Sequence, residues 1–357
     1  MSLSRSILFF QEKLIDDIVR YKHGKKRRNM VKSYGSVDGV LTQSEIREAE
    51  QFWKPYIKHI DPLFHAWYKK CTGEFHPEII PTDVWFSNVD YYFNNRKAGK
   101  QFDHKCLYDL YFTGANQPAT IAKRMNRIWF SAEGKIIDLP EIASAISNKG
   151  SAFLKIASGS CGGKGVYHIP GNEAEKMMQQ LDATIDNDII VQESVCQCDE
   201  LNKINSASVN TLRVLSLVHQ GGVKIYSVVL RMGIGDAKVD NASNGGIHCG
   251  VMSDGRLKSV AYNLKGESFH VHPTSGVKFD DVIVPNYDKM IEKTEMLALQ
   301  FPLFRMISWD WSIDNKGNPV LIEANLYNGG LDFHQLNNGP VFGEDTKMIM
   351  DEVFGLR

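Results

Sequence analysis

Near the N-terminus the apolar positions recur at intervals of three and four. Ile7, Leu8, Phe9, Phe10, Leu14, Ile15, Ile18 and Val19 share the face of one expected helix. A basic run follows (Lys22, Lys25, Lys26, Arg27, Arg28, Lys32). The pair reads as a helix docked on its own domain with a solvated charged flank, and contact with a membrane surface is the minor alternative. Thr42-Gln-Ser44-Glu45 carries helix-start signals before an aromatic segment of helical spacing, Phe52, Trp53, Tyr56, Ile60, Phe64, Trp67 and Tyr68. Pro77 and Pro81 break that pattern, and the first hundred residues read as mainly helical. From about residue 103 the texture changes. Asp103-His-Lys105 leads a short apolar helix, 136–138 reads as a brief strand and 141–147 as a helix. Strand-like runs rich in β-branched residues then cover 153–157, 188–192, 211–218, 223–230 and 319–322, with Gly221-Gly222 as a hairpin turn and a helix over 287–301. The pattern predicts an α+β protein: a helical front, then largely antiparallel sheet with helices.

Length and composition fit that picture. The chain has 357 residues, 43% hydrophobic and 23% charged, enough for two or three packed units and unlike a disordered chain. Lys and Arg total 41 against 42 Asp and Glu, so the net charge of −1 offers no bulk attraction for nucleic acid. Six scattered cysteines without CxxC spacing suit reduced thiols better than a disulfide framework or a zinc site. No apolar run reaches the length of a membrane span, and the N-terminus lacks signal-peptide features. A cytoplasmic protein is expected.

Two segments carry chemistry. In the first, Phe153-Leu-Lys155-Ile-Ala-Ser158-Gly159-Ser160-Cys161-Gly162-Gly163-Lys164-Gly165-Val166, a strand delivers a lysine and a glycine loop follows. Glycines let backbone N–H groups turn toward an anion, and Lys155 and Lys164 add charge, which suits a polyphosphate. It is not a Walker A loop, because Ser158 stands at the first glycine and Gly165 at the magnesium-binding Ser or Thr. Nor is it a dinucleotide fingerprint, since Cys161 stands two places after Gly159. A protein kinase has its glycine loop before the strand lysine, the reverse of this order. The bland alternative is a glycine-rich hairpin with solvated lysines.

The second segment runs from Trp309-Asp310-Trp311 through a turn at Asp314–Gly317 to Val320-Leu-Ile-Glu323-Ala-Asn325. Two antiparallel strands would set Asp310 across from Glu323 and Asn325, which lie two apart and so share a sheet face. Two carboxylates and an amide oxygen make a hard-oxygen site suited to Mg²⁺. A hairpin of solvated acids is the alternative, but acids set among Trp309, Trp311 and Leu321 are poorly placed without a cation.

Together the segments resemble the ATP-grasp superfamily, whose pattern has an early lysine, a strand lysine with a glycine loop, an acidic hinge strand, and a late Asp followed by Glu-x-Asn. Lys105, Lys155, Gly162 to Val166, Val191-Gln192-Glu193, and Asp310 with Glu323 and Asn325 match it in that order. The sugar-transfer associated ATP-grasp proteins, related to α-L-glutamate ligases, are closer still, through Ser208-Val-Asn210-Thr-Leu-Arg213, Arg231-Met-Gly233, Asp240-Asn241, Gly245-Gly246-Ile247 and His272-Pro273-Thr-Ser-Gly276.

The resemblance implies an ATP-grasp fold of two α+β subdomains, 103–192 and 193–357, behind a helical region 1–102. It implies ATP and Mg²⁺ as cofactors. Lys105, Lys155, Gly162, Gly163, Lys164, Gly165 and Val166 would hold phosphates, and Gln192, Glu193 and Val195 the adenine edge. Asp199 or Glu200 would meet the ribose, and Asp310, Glu323 and Asn325 the metal. Arg213 and Arg231 would face the transferred phosphoryl group, with a cross-strand ion pair and a surface arginine as their plain alternatives. His248, His270 and His272 read as structural rather than acid/base groups. The implied activity is carboxylate–amine ligation of small, sugar-linked substrates through an acyl phosphate, in surface-polysaccharide synthesis. Phosphotransfer to a hydroxyl and a non-catalytic nucleotide-binding scaffold are the rivals. The whole reading requires Asp310 to face Glu323 and Asn325, and Lys105 and Lys155 to open on one crevice.

Overall fold

A computed structural model describes residues 22, 24–159, 163–219, 221–237 and 245–356. The periodic stretch 7–19, Gly162 and Asp240-Asn241 lie outside the described residues. Residues 24–33 of the basic run are helical. Val31 is fully buried there, Arg28 pairs with Asp83, and Arg27 lies over the ring of Phe86 at 4.6 Å, while Lys22, Lys25, Lys26 and Lys32 face solvent.

Helix α1 (Gln43–Trp53) starts at a capping box, Thr42 accepting from Glu45 N and Glu45 accepting from Thr42 N. The aromatic stretch that reads as one helical segment is divided, because Pro55 and Pro62 interrupt it and α2 (Leu63–Thr72) restarts directly after Pro62.

Two antiparallel sheets follow. The first has strands β1 (Thr120–Met125), β2 (Ile128–Ser131), β3 (Ser151–Ile156), β4 (Val166–Pro170) and β5 (Ile189–Glu193), in the order β2-β1-β5-β3-β4. Helices α3 (Leu139–Lys149) and α4 (Ala174–Thr184) cover it, Ile142, Ile146, Met178 and Leu181 packing with Leu154, Ile189 and Val191. The strand expected at 136–138 shrinks to one bridge, Ile136 to Phe130, because Asp138 already caps α3 through Glu141 N.

A short helix, α5 (Asp199–Ile204), leads into the second sheet: β6 (Thr211–His219), β7 (Gly222–Met232), β8 (Ile247–Val251), β9 (Leu257–Tyr262), β10 (Ser268–Phe269), β11 (Met306–Ile313) and β12 (Pro319–Asn325), ordered β10-β9-β8-β7-β6-β11-β12. Gly221, at φ +84°, makes the β6–β7 turn, as its sequence suggests. Side chains alternate across this sheet and give its faces different work. One face (Leu212, Val214, Leu230, Cys249, Trp309, Trp311, Leu321) packs on α6 (Tyr287–Ala298), which ends three residues before the expected Phe301. The other carries Arg213 and Asp310 at one end and Leu215, Leu217 and Met306 at the other, where Trp53, Val84, Trp85 and Val89 of the helical front cover it. Helix α7 (Asp332–Asn338) lies on that same face, and α8 (Thr346–Val353) closes the apolar end with Ile349 and Met350. Among the described residues no helix is long and apolar enough to cross a membrane.

Candidate active site

The site lies where the two sheets face each other. Register puts Asp310 of β11 directly opposite Glu323 of β12 on one side and Arg213 of β6 on the other, and Ser308 opposite Asn325. The late hairpin therefore brings its three oxygen donors together. Asp310, 3% exposed, is held by Arg213 through Nε on Oδ1 and Nη2 on Oδ2 (2.7 Å), and by Arg231 Nη1 on Oδ2 at 3.2 Å. Burial works to raise its pKa, but the two guanidinium groups outweigh that and hold the carboxyl below the ordinary range. Asn325 spends its amide hydrogens on Ser308 O (3.1 Å) and on Asp310, which leaves its Oδ1 pointing elsewhere.

The lysines come from the other side: Lys155 from the first sheet and Lys105 from a short 3-10 turn, Lys105–Leu107, beside it. Lys105, 7% exposed, bonds Glu323 Oε1 at 2.9 Å, and its backbone N–H donates to Ala157 O at 2.8 Å, tying it to the strand end that starts the glycine loop. Burial would depress this ammonium, yet Glu323 and Asp103 carry it above the usual value. Lys155 on β3 donates to Gln192 Oε1 at 3.0 Å, and Gln192 passes the contact on from Nε2 to Pro118 O at 3.2 Å. Burial pushes Lys155 down to about 8, and the charges of Glu323, Lys105 and Asp310 all act on it. The two lysines thus open on one cleft with the oxygen donors.

The loop residues Gly163 and Gly165 both have positive φ (+74° and +76°), and a Cβ at Gly165 would stand 2.7 Å from Ile156 Cδ1. Only glycine fits there. Lys164 is exposed at the turn and Val166 opens β4. Glu193 ends β5 in an ion pair with Lys149 at 2.8 Å, Val195 follows half-buried, and Asp199 and Glu200 are exposed at the start of α5. The Ser208-Val-Asn210 motif is a knot beneath this hinge: Asn210 Nδ2 donates to Gln197 Oε1, Leu201 O and Asn205 O within 3.1 Å.

Two groups, Asp103 and Phe333, were not singled out from sequence, and Gln192, expected at the adenine edge, has a further side-chain role. Asp103 accepts from Gly159 N, and burial with Glu323 nearby raises its pKa. Gln192 acts through its side chain on Lys155. The Phe333 ring lies 5.6 Å from the Arg213 guanidinium. Of the three histidines, His272 and His248 are buried in hydrogen bonds. His272 Nδ1 accepts from Ser275 N, so its Nε2 donates to Gly233 O at 2.9 Å, and Gly235 N donates to Thr274 Oγ1, binding the His272–Gly276 motif to the one that starts at Arg231. Burial lowers His248 to about 3, and its Nδ1 contacts Asn337 Nδ2 at 2.7 Å. His270 is exposed.

A family profile described as sugar-transfer associated ATP-grasp matches residues 90–350. The chain belongs to that family. It is an ATP-grasp protein, and the superfamily resemblance read from the motifs holds. No curated protein matches the chain. Solved structures of similar shape include an N5-carboxyaminoimidazole ribonucleotide synthetase with ADP (13% identity, TM-score 0.39, over 64% of this chain and 45% of that one). A D-alanyl-alanine synthetase A from Vibrio cholerae O1 biovar eltor (12%, 0.40, 71% and 64%) and the D-cycloserine synthetase DcsG (11%, 0.41, 74% and 73%) are others. The chain spans less than two thirds of the length of the first two.

Proposed function

We propose that this ATP-grasp protein is an ADP-forming carboxylate–amine ligase. The observation that carries the reading is the meeting of Asp310, Glu323 and Asn325 with Lys105 and Lys155 in one cleft between the sheets. The donor set is right for magnesium: two carboxylates and an amide oxygen, with room in the coordination shell for phosphate and water. Among the described residues no group of three or more His, Cys, Asp or Glu offers a competing transition-metal site. Mg²⁺, held by Asp310, Glu323 and Asn325, would draw in the phosphates and offset their charge.

The chain's own residues do the rest. Lys105 and Lys155 bind phosphate oxygens, with Gln192 fixing the Lys155 side chain. Gly163, Lys164, Gly165 and Val166, and Gly162 with them, line the phosphates, while Gln192, Glu193 and Val195 offer backbone groups to adenine, and Asp199 or Glu200 meets the ribose. Arg213 and Arg231 stand ready, on the far side of Asp310, to neutralise charge on the transferring phosphoryl group as a substrate carboxylate attacks it. The acyl phosphate then meets an amine, and loss of phosphate leaves an amide. The segments 103–192 and 193–357 act as the two gripping subdomains. A sugar acid or amino sugar of a surface-polysaccharide pathway, handled in the cytoplasm, fits the family's description.

ADP release that requires both an acid and an amine is the expected assay result. Asp310→Asn and Glu323→Gln should each lower turnover by about 100-fold or more. Release that ignores the amine and follows a hydroxyl acceptor would make the protein a phosphotransferase. An unimpaired cellular role in both variants would make it a scaffold.

A further inference from the structure

Both acids of the proposed metal set already carry counter-charge. Asp310 is clasped by Arg213 and Arg231, and Glu323 is paired with Lys105 at 2.9 Å, where the lysine side chain is 7% exposed. The three carboxyl groups that meet there, Asp103, Asp310 and Glu323, are outnumbered by the cations Lys105, Lys155, Arg213 and Arg231. A bare divalent cation would enter a cleft with positive charge in excess, and would have to part a buried ion pair and strand its ammonium away from water. A polyphosphate meets the opposite balance.

The two clasps differ in what holds them. Arg213 and Asp310 are directly opposite each other on neighbouring strands of one sheet, so their pairing is set by the register of β6 and β11. Lys105 and Glu323 belong to opposite sides of the cleft. Four consecutive residues bind the lysine's backbone to the first sheet: Asp103 accepts from Gly159 N, His104 Nε2 contacts Asp188 Oδ2 at 3.1 Å, Lys105 N–H donates to Ala157 O, and Cys106 Sγ donates to Ile189 O at 3.3 Å. From this anchored stretch the flexible four-carbon stem of Lys105 crosses to β12. Rotation of that stem turns the ammonium from Glu323 to a phosphate oxygen with no backbone movement. The exchange keeps the ammonium paired and frees the carboxylate at the moment the phosphates arrive.

We propose that Lys105 is a placeholder for the metal: it neutralises Glu323 until a polyphosphate takes its ammonium, so the cleft accepts nucleotide without metal, and Mg²⁺ only together with nucleotide. This rests on the reading of Asp310, Glu323 and Asn325 as metal ligands.

The test is calorimetric titration of the full chain with Mg²⁺ alone and with a non-hydrolysable ATP analogue in EDTA. The native chain should bind the analogue without metal and should bind Mg²⁺ alone weakly. Lys105→Gln should move the two ligands in opposite directions, tightening Mg²⁺ alone about tenfold and weakening the metal-free analogue by a similar factor. Adding Glu323→Gln to that variant should abolish the gain in Mg²⁺ binding. Glu323→Gln by itself, which releases the lysine from its partner, should tighten the metal-free analogue severalfold, and it decides the matter should Lys105→Gln fail to fold. A Lys105→Gln chain that binds Mg²⁺ alone no better than the native one, a gain that survives in the double variant, or a Glu323→Gln chain that binds the metal-free analogue no better would overturn the proposal. These shifts together with no acid- and amine-dependent ADP release would instead remove the ligase reading and leave the placeholder standing.

Discussion

Burial holds Lys155 at about 8 rather than 10.5, and this single side chain sets a pH dependence in two opposite directions. Its folded-state pKa lies below its unfolded one, so its charged form costs stability below pH 8 and that cost fades as pH climbs from 8 to 10.5. Phosphate binding asks for the ammonium, so nucleotide affinity should fall over the range in which stability rises. Titrations of ATP between pH 7 and 9.5 should show weakening above 8 and proton uptake on binding, and Lys155→Arg should flatten the profile, an arginine staying charged throughout. A profile that is flat in the native protein would place Lys155 outside the phosphate site. At this scale most of the residues that meet in the candidate site were legible: Lys105, Lys155, Arg213, Arg231, Asp310, Glu323 and Asn325 stand out by residue type and spacing. Asp103 does not, and of Gln192 only the expected place at the adenine edge was legible, not its bond to Lys155, because these contacts are made with Gly159 and Lys155, 56 and 37 residues away, which only the folded sheets bring near.

Helix α7 shows why some elements escaped the sequence. Asp332, His334, Gln335 and Asn337 are buried in its seven residues, so no apolar stripe marks a face. Its polar groups are used on both sides. Asp332 takes hydrogen bonds from Tyr68 (3.1 Å) and Thr82, and Gln335 bonds Ile80 N and O at 3.0 Å each, while His334 contacts Ser227 Oγ at 2.7 Å. The capped α1, by contrast, could be read directly. Close seating of α7 depends on Gly250 of β8, where a Cβ would come 2.7 Å from Asn338 Oδ1 and 2.9 Å from Lys258 Cδ. Gly250→Ala should lift the helix and cost about 1–3 kcal/mol of stability. Calorimetry should show a lower melting temperature, and because Phe333 and His334 of α7 back Arg213, ADP release should fall more than nucleotide affinity.

For the whole molecule the question is whether the helical front is an attachment or part of the core. The family profile begins at residue 90, which suggests a boundary there. Packing argues the other way: Trp53, Tyr56, Ile80, Val84, Trp85 and Phe86 share one apolar cluster with Leu215, Leu217 and Met306 of the larger sheet and Ile349 and Met350 of α8. Trp85 Nε1 also donates to Gly329 O at 2.9 Å, four residues past Asn325, so the front holds the segment that follows the strand carrying Glu323 and Asn325. Removing residues 1–89 would strip large aromatic side chains from that cluster, each typically worth several kcal/mol in a core, and leave the Asp332 carboxylate without its two hydroxyl donors. Such losses compare with the whole stability of an ordinary domain. A 90–357 fragment should therefore elute as aggregate, bind a hydrophobic dye and lose cooperative melting along with MgATP binding. A monomeric fragment that melts cooperatively and keeps its nucleotide would show instead that the two sheets stand alone and that the front is a separable module.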